Sequence, residues 1–133
     1  MKKISFFDTK PYDKEFFDEE LKKYPSYKIV YHEEKLNAKT AVLAKGSDAV
    51  VAFVNDDLSA DTLRKLKKRE ISFVAMRCAG YNNVDINYAT EHDMRVTRVP
   101  AYSPYAVAEH AMGMLLTLNR KLHRAYNRIR EYN

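Results

Sequence analysis

The segment Arg77-Cys78-Ala79-Gly80-Tyr81-Asn82-Asn83 has the residue types best suited to hold an anion. Ala79 and Gly80 carry so little bulk that backbone N–H groups there can approach a carboxylate closely. The same glycine can serve only to bend the chain into a helix cap at Asn82-Asn83-Val84-Asp85, and the local sequence leaves both readings open. Arg77 and Arg98 would add positive potential, although arginines at strand ends commonly make only salt bridges, so neither is assigned a catalytic role. Cys78 borders the turn without a paired histidine and reads as a small core residue rather than a nucleophile. Glu109 and His110 are chain neighbours, which a helix points about 100° apart, so they form no acid–base pair. His32, His92 and His123 share no motif and lack metal-ligand spacing, so no metal site is assigned. Gly46, Gly80 and Gly113 lie more than thirty residues apart, which excludes a G-x-G-x-x-G turn for a pyrophosphate.

These candidates follow short apolar runs. Residues 4–7, 28–31, 49–54, 71–76 and 94–99 read as five strands. Between them, residues 12–24 place Phe16, Phe17 and Leu21 on one helical side, and residues 59–69 do the same with Leu63 and Leu66 behind an N-cap-like Ser59. Residues 37–44 and 85–91 are shorter helix candidates. Strand alternating with helix predicts an α/β fold with a parallel sheet, because parallel neighbours need crossover connections. In such sheets ligands gather beyond the carboxyl ends of the strands, where Asp8-Thr9-Lys10, Asn55-Asp56-Asp57, the Arg77–Asn83 segment and Pro100-Ala101-Tyr102-Ser103 all fall.

The pattern changes near residues 100–105, which mark the expected boundary between a domain at 1–100 and a second segment at 101–133. One long helix is predicted over 104–129, with Pro104 in its first turn and a heptad-like seam of Ala111, Leu115, Leu118, Leu122, Ala125 and Ile129. Met112 and Met114 widen its apolar surface, so this helix wants a partner.

Composition supports an ordinary globular chain. With 133 residues, 46% of them hydrophobic and 31% charged, it can bury a core without disulfides or metals. A lone cysteine asks for no oxidising compartment, and the apolar run after Met1-Lys2-Lys3 ends at Asp8, too early for a signal peptide. The longest later apolar stretch, 111–118, is too short to span a bilayer, so a cytoplasmic location without membrane contact is expected. The net charge of +5 is concentrated in Arg64, Lys65, Lys67, Lys68 and Arg69, which read as the carbonyl end of a helix rather than a nucleic-acid patch.

Three blocks carry a family resemblance. Arg77-Cys78-Ala79-Gly80-Tyr81-Asn82-Asn83-Val84-Asp85, Val99-Pro100-Ala101-Tyr102-Ser103-Pro104 and Val107-Ala108-Glu109-His110-Ala111 resemble, in order and spacing, consecutive blocks of the D-lactate dehydrogenases within the D-2-hydroxyacid dehydrogenase family. Ala52-Phe53-Val54-Asn55-Asp56-Asp57 and Ile4-Ser5-Phe6-Phe7-Asp8-Thr9-Lys10 are similar to their third-strand and first-strand blocks. The resemblance implies a five-stranded, flavodoxin-like parallel sheet for substrate binding, followed by the first long helix of a truncated Rossmann-type cofactor domain. It implies an enzyme that reduces pyruvate to D-lactate with NADH. Ala79 and Gly80 would then offer N–H groups to the substrate carboxylate, Phe53 and Tyr102 would line the pocket, and Val107 would approach the nicotinamide ring. The family's glycine-rich loop and its catalytic arginine, glutamate and histidine fall after residue 133, so the chain alone is expected to be inactive and to bind NAD weakly at best. A homodimer through the helix at 104–129 is the expected assembly.

Two other readings stand beside this one. A receiver-like signalling domain has a similar sheet, but it needs an acidic pair after strand one and an aspartate ending strand three, where this chain has a single Asp8 and Asn55. A self-associating interaction module without catalysis is the other.

Overall fold

The apolar runs become five strands hydrogen-bonded into one sheet: β1 (Lys2–Phe6), β2 (Tyr27–Tyr31), β3 (Ala49–Ala52), β4 (Phe73–Met76) and β5 (Arg95–Thr97). Every pairing is parallel and the order is β2-β1-β3-β4-β5. The computed structural model describes residues 1–131. Helices α1 (Pro11–Leu21), α2 (Ala60–Lys67) and α3 (Ile86–Glu91) alternate with the strands, and the segment expected as a helix at 37–44 is a 3₁₀ turn at Thr40–Ala44. Asn37 explains that short element: its Oδ1 accepts the N–H groups of Lys39 and Thr40 and starts the turn locally.

The two sheet faces are covered unequally. Val50, Ala52, Val74 and Met76 bury themselves against Leu63 and Leu66 of α2, Ala89 of α3, and Leu36, Ala41 and Ala44. The opposite face meets α1, where Phe17 packs edge-on against Phe6 at 4.8 Å. Phe16, expected beside Phe17, points to water at 71% exposed, because adjacent residues on a helix diverge and only one of them can face the sheet. Ser59 stands at the start of α2 without a side-chain cap, and Asp57 does that work by accepting the Ser59 N–H and the Thr62 hydroxyl. Asp85 caps α3 by accepting the Tyr88 N–H at 2.9 Å.

β1, β3 and β5 end earlier than their apolar runs. Phe53 and Val54 leave the ladder because the Phe53 N–H turns to the carboxylate of Asp56. Past these ends a single bridge between Leu58 and Val84 continues the parallel pairing of the loops that follow β3 and β4.

The chain forms two compact units that divide between Pro100 and Ala101. In the second, α4 (Pro104–Arg120) begins with Pro104 in its first turn and runs unbroken through Gly113. The single helix expected over 104–129 is nonetheless two. Lys121 adopts φ +54°, its N–H returns to Leu118 and Thr117, and α5 (Leu122–Glu131) starts anew. No residue of α4 or α5 is buried, so no packing holds the two in line, and the 4–3 spacing of the seam is satisfied by two separate helices. None of the helices in the described residues is long and apolar enough to cross a membrane.

His32 gives the first unit a measurable pH response. Its ring stacks on Phe7 at 4.8 Å, and its Nε2 lies 3.2 Å from the hydroxyl of Ser5, which lies 2.9 Å from that of Ser47. Burial pushes its pKa below the usual 6.5, with Lys3 acting the same way and Glu34 against. The folded state therefore prefers neutral imidazole, so the stability this provides is complete above 6.5 and is lost as pH falls through the lower folded value. His32→Phe keeps the stacked ring and cannot titrate; its melting temperature should fall less between pH 7.5 and 5 than that of the parent chain, measured by circular dichroism.

Candidate functional site

In the order β2-β1-β3-β4-β5 the chain reverses direction of winding between β1 and β3, which leaves a crevice beyond their carboxyl ends. Arg77, the first residue after β4, reaches into that region. Its Cζ lies 4.3 Å from the centroid of the Phe53 ring and 5.2 Å from that of Phe6. Nη2 donates to the Asp8 carbonyl at 2.8 Å and Nη1 to Asp13 Oδ1 at 3.5 Å. Both side chains are largely withdrawn from solvent, 13% exposed for Arg77 and 8% for Asp13. Nε has no partner among the described residues.

The loop after β3 is held by two further side chains. Asp56 accepts the Leu36 N–H at 2.7 Å through Oδ1 and the Phe53 N–H at 2.6 Å through Oδ2. Burial raises its pKa, opposed by those two backbone donors. Asn83 Nδ2 donates to the Phe53 carbonyl at 3.0 Å and the Asp56 carbonyl at 2.8 Å. The carboxylate of Asp56 is thus turned inward onto backbone, while Asp8 pairs with Lys10 at 2.8 Å, so these acids do not assemble the pocket a receiver domain needs.

The turn after Cys78 lies beside this loop. Within the described residues neither the Ala79 nor the Gly80 N–H donates a hydrogen bond. Gly80 has no positive φ, and a Cβ built on it would meet only Val54 Cγ2 at 3.7 Å, an ordinary contact. The protein itself therefore does not require glycine there; Gly80 is exposed and Ala79 half-buried, and the missing side chain of Gly80 puts no bulk in the way of an approaching group. Arg98 Nη1 donates to the carbonyls of Ala79, Val99 and Pro100, and its guanidinium lies 5.1 Å over the Tyr81 ring. Its role is to fasten the turn. The Cys78 thiol donates to the Gly80 carbonyl, and burial pushes its pKa up, away from a nucleophilic thiolate.

Of the residues singled out from sequence, Phe53, Ala79 and Gly80 come together on this edge of the sheet. Tyr102 precedes α4 and Val107 lies in its first turn; both are exposed members of the second unit. Glu109 and His110 follow on α4, also exposed. Among the described residues no group of three His, Cys, Asp or Glu side chains can hold a metal ion.

Comparison with known proteins gives the family. The family model for the catalytic domain of D-isomer specific 2-hydroxyacid dehydrogenases matches residues 4–133. The chain belongs to the D-isomer specific 2-hydroxyacid dehydrogenase family. The 2-hydroxyacid dehydrogenase homolog 1 of Schizosaccharomyces pombe is 54% identical over 129 residues, which cover 97% of this chain and 39% of that protein. The apo-structure of the D-lactate dehydrogenase from Escherichia coli superposes with a TM-score of 0.79 at 46% identity, covering 98% of this chain and 41% of that one. The D-lactate dehydrogenase with NAD+ from Lactobacillus jensenii gives 0.71 at 26% identity, covering 97% and 39%. The chain thus spans 39–41% of the length of these relatives.

Within this dehydrogenase domain, sequence reasoning missed the residues that shape the site from behind. Asp56 and Asn83 sat inside recognised segments, but nothing in their spacing tells that both turn onto the backbone around Phe53. The strand-end position of Arg77 correctly suggested an ion pair, not that two aromatic rings would enclose it. Asn83→Ala would leave the Asp56 carbonyl without its donor and the Phe53 carbonyl with the Asp56 N–H alone, at a half-buried position, and a loss of about 1–3 kcal/mol in urea unfolding is expected.

Proposed function

We propose that this chain is the amino-terminal, substrate-binding part of an NAD-dependent D-lactate dehydrogenase that reduces pyruvate to D-lactate with NADH. The observation that carries the reading is the pair of undonated N–H groups at Ala79 and Gly80, opened by a missing side chain, in a family whose substrates carry a carboxylate. The substrate carboxylate would take these two donors, and Phe53 and Tyr102 would wall the remainder of the molecule from water. Val107 would border the nicotinamide ring, which supplies the hydride when bound; the Lactobacillus jensenii relative with NAD+ supports that cofactor. No metal enters this reading.

The keto oxygen needs a positive partner and a proton donor. In this reading both come from the arginine and the glutamate-supported histidine that the family carries after residue 133, together with its glycine-rich loop. A single cysteine and the absence of a membrane-length apolar helix in the described residues favour a cytoplasmic enzyme. The 133-residue chain by itself should give no NADH-dependent pyruvate reduction in an absorbance assay, since loss of a general acid alone costs a factor of roughly 10² to 10⁴. Turnover comparable to that of the longer enzyme would refute the assignment. In the longer enzyme Tyr102→Ala should lower kcat/KM for pyruvate, and an unchanged value would remove Tyr102 from the pocket.

The assembly belongs to the same reading. Met112, Met114, Leu115, Leu118 and Leu122 are all about half exposed or more, and each large apolar side chain left in water forgoes roughly 1.5–3 kcal/mol of burial. A two-fold dimer that packs α4 and the start of α5 against their copies removes them from solvent and leaves Arg120, Lys121, Arg124 and Arg128 at the rim. Light scattering at micromolar concentration should return about twice the chain mass of 15.5 kDa, and a monomer mass would overturn the dimer.

A further inference from the structure

Phe53 is the first residue past β3 and has no place in the strand ladder, yet side chains hold it at three points. Asp56 Oδ2 takes its N–H at 2.6 Å, Asn83 Nδ2 gives to its carbonyl at 3.0 Å, and the guanidinium of Arg77 lies 4.3 Å from its ring centroid. The first two contacts fix the backbone. Only the third acts on the ring, the part that would face a substrate.

We propose that Arg77 is a positioning residue for substrate binding, whose guanidinium plane, set by Asp8 and Asp13, fixes the Phe53 ring as a wall of the 2-keto acid pocket. The proposal rests on the pocket reading given above. An arginine present only to tie α1 to the sheet would be expected to grip Asp13 with a short, two-pronged pair. Here one N–H meets Asp13 at 3.5 Å, while the shorter bond, at 2.8 Å, goes to the Asp8 carbonyl. Phe6 lies near the guanidinium as well, its ring centroid 5.2 Å from Cζ, so the cation touches rings of both β1 and the loop after β3. The contact needs a flat cation. An ammonium at the same place keeps the charge and loses the face. A ring released by that change would sample other rotamers, and a pocket wall out of place weakens substrate capture before it touches the reacting atoms.

The test uses the longer dehydrogenase with pyruvate and NADH, in steady state, with Arg77→Lys, Phe53→Leu and the double variant. Arg77→Lys should raise KM for pyruvate about tenfold with kcat and KM for NADH changed less than about twofold. Phe53→Leu should raise the same KM, and adding Arg77→Lys to it should add little further, because the arginine acts through the ring. A lowered melting temperature with unchanged KM would make Arg77 purely structural and overturn the proposal. So would effects that multiply in the double variant. If Phe53→Leu leaves pyruvate KM unchanged, the pocket reading fails and takes this inference with it, whereas a Phe53 effect without an Arg77 effect sinks this inference alone. Should Arg77→Lys not fold, Asp13→Asn loosens the guanidinium from the α1 side; it should raise KM for pyruvate, and an unchanged KM would overturn the proposal equally.

Discussion

A guanidinium withdrawn from water needs groups that replace the solvent it loses, and Arg77 meets two rings, a carbonyl and a carboxylate, with only its Nε left without a partner among the described residues. Rings from β1 and from the loop after β3 lie within 5.2 Å of the guanidinium, a carbonyl beyond β1 accepts one of its N–H groups, and a buried carboxylate on α1 balances its charge. Desolvating such a cation is costly unless all these partners are in place together. The exits of β1, β3 and β4 and the first turn of α1 are therefore tied to one point. The crevice at the sheet's switch point takes its shape from that point.

Around it the chain uses polar side chains to replace ladder bonds where the strands stop. Asp56 and Asn83 satisfy the backbone of the loop that carries Phe53, and Arg98 joins the Ala79 carbonyl to the Val99 and Pro100 carbonyls that follow β5. Those bonds rigidify two loops that would otherwise be the softest parts of the unit. What they leave free is as telling: within the described residues the N–H groups of Ala79 and Gly80 are donors without acceptors.

The second unit is built on the opposite balance. Its helices have good local signals, Pro104 in the first turn and a run of strong helix formers, but nothing in them is buried. Helices gain most of their stability from tertiary packing of an apolar face. With that contribution absent, a single residue in the left-handed region is enough to divide the helix at Lys121.

The sequence by itself determined the fold class. Strand and helix periods alternate, and parallel strands permit few other arrangements. It also determined the neighbourhood of the site, because the polar, small and turn-forming residues cluster after the strands, and it carried the family through the blocks around Gly80 and Tyr102. Only the tertiary structure decided which of those residues meet. It turned Phe17 inward and Phe16 outward, ended β3 at Ala52 through the Asp56 carboxylate, and placed Arg77 between two rings forty-seven positions apart in the chain, at Phe6 and Phe53. It also broke the seam that spacing predicted to be continuous. The physical reason is the same throughout: periodicity records which face of an element is apolar, whereas contacts across loops, and bends of one residue, depend on partners distant in sequence that a local pattern does not register.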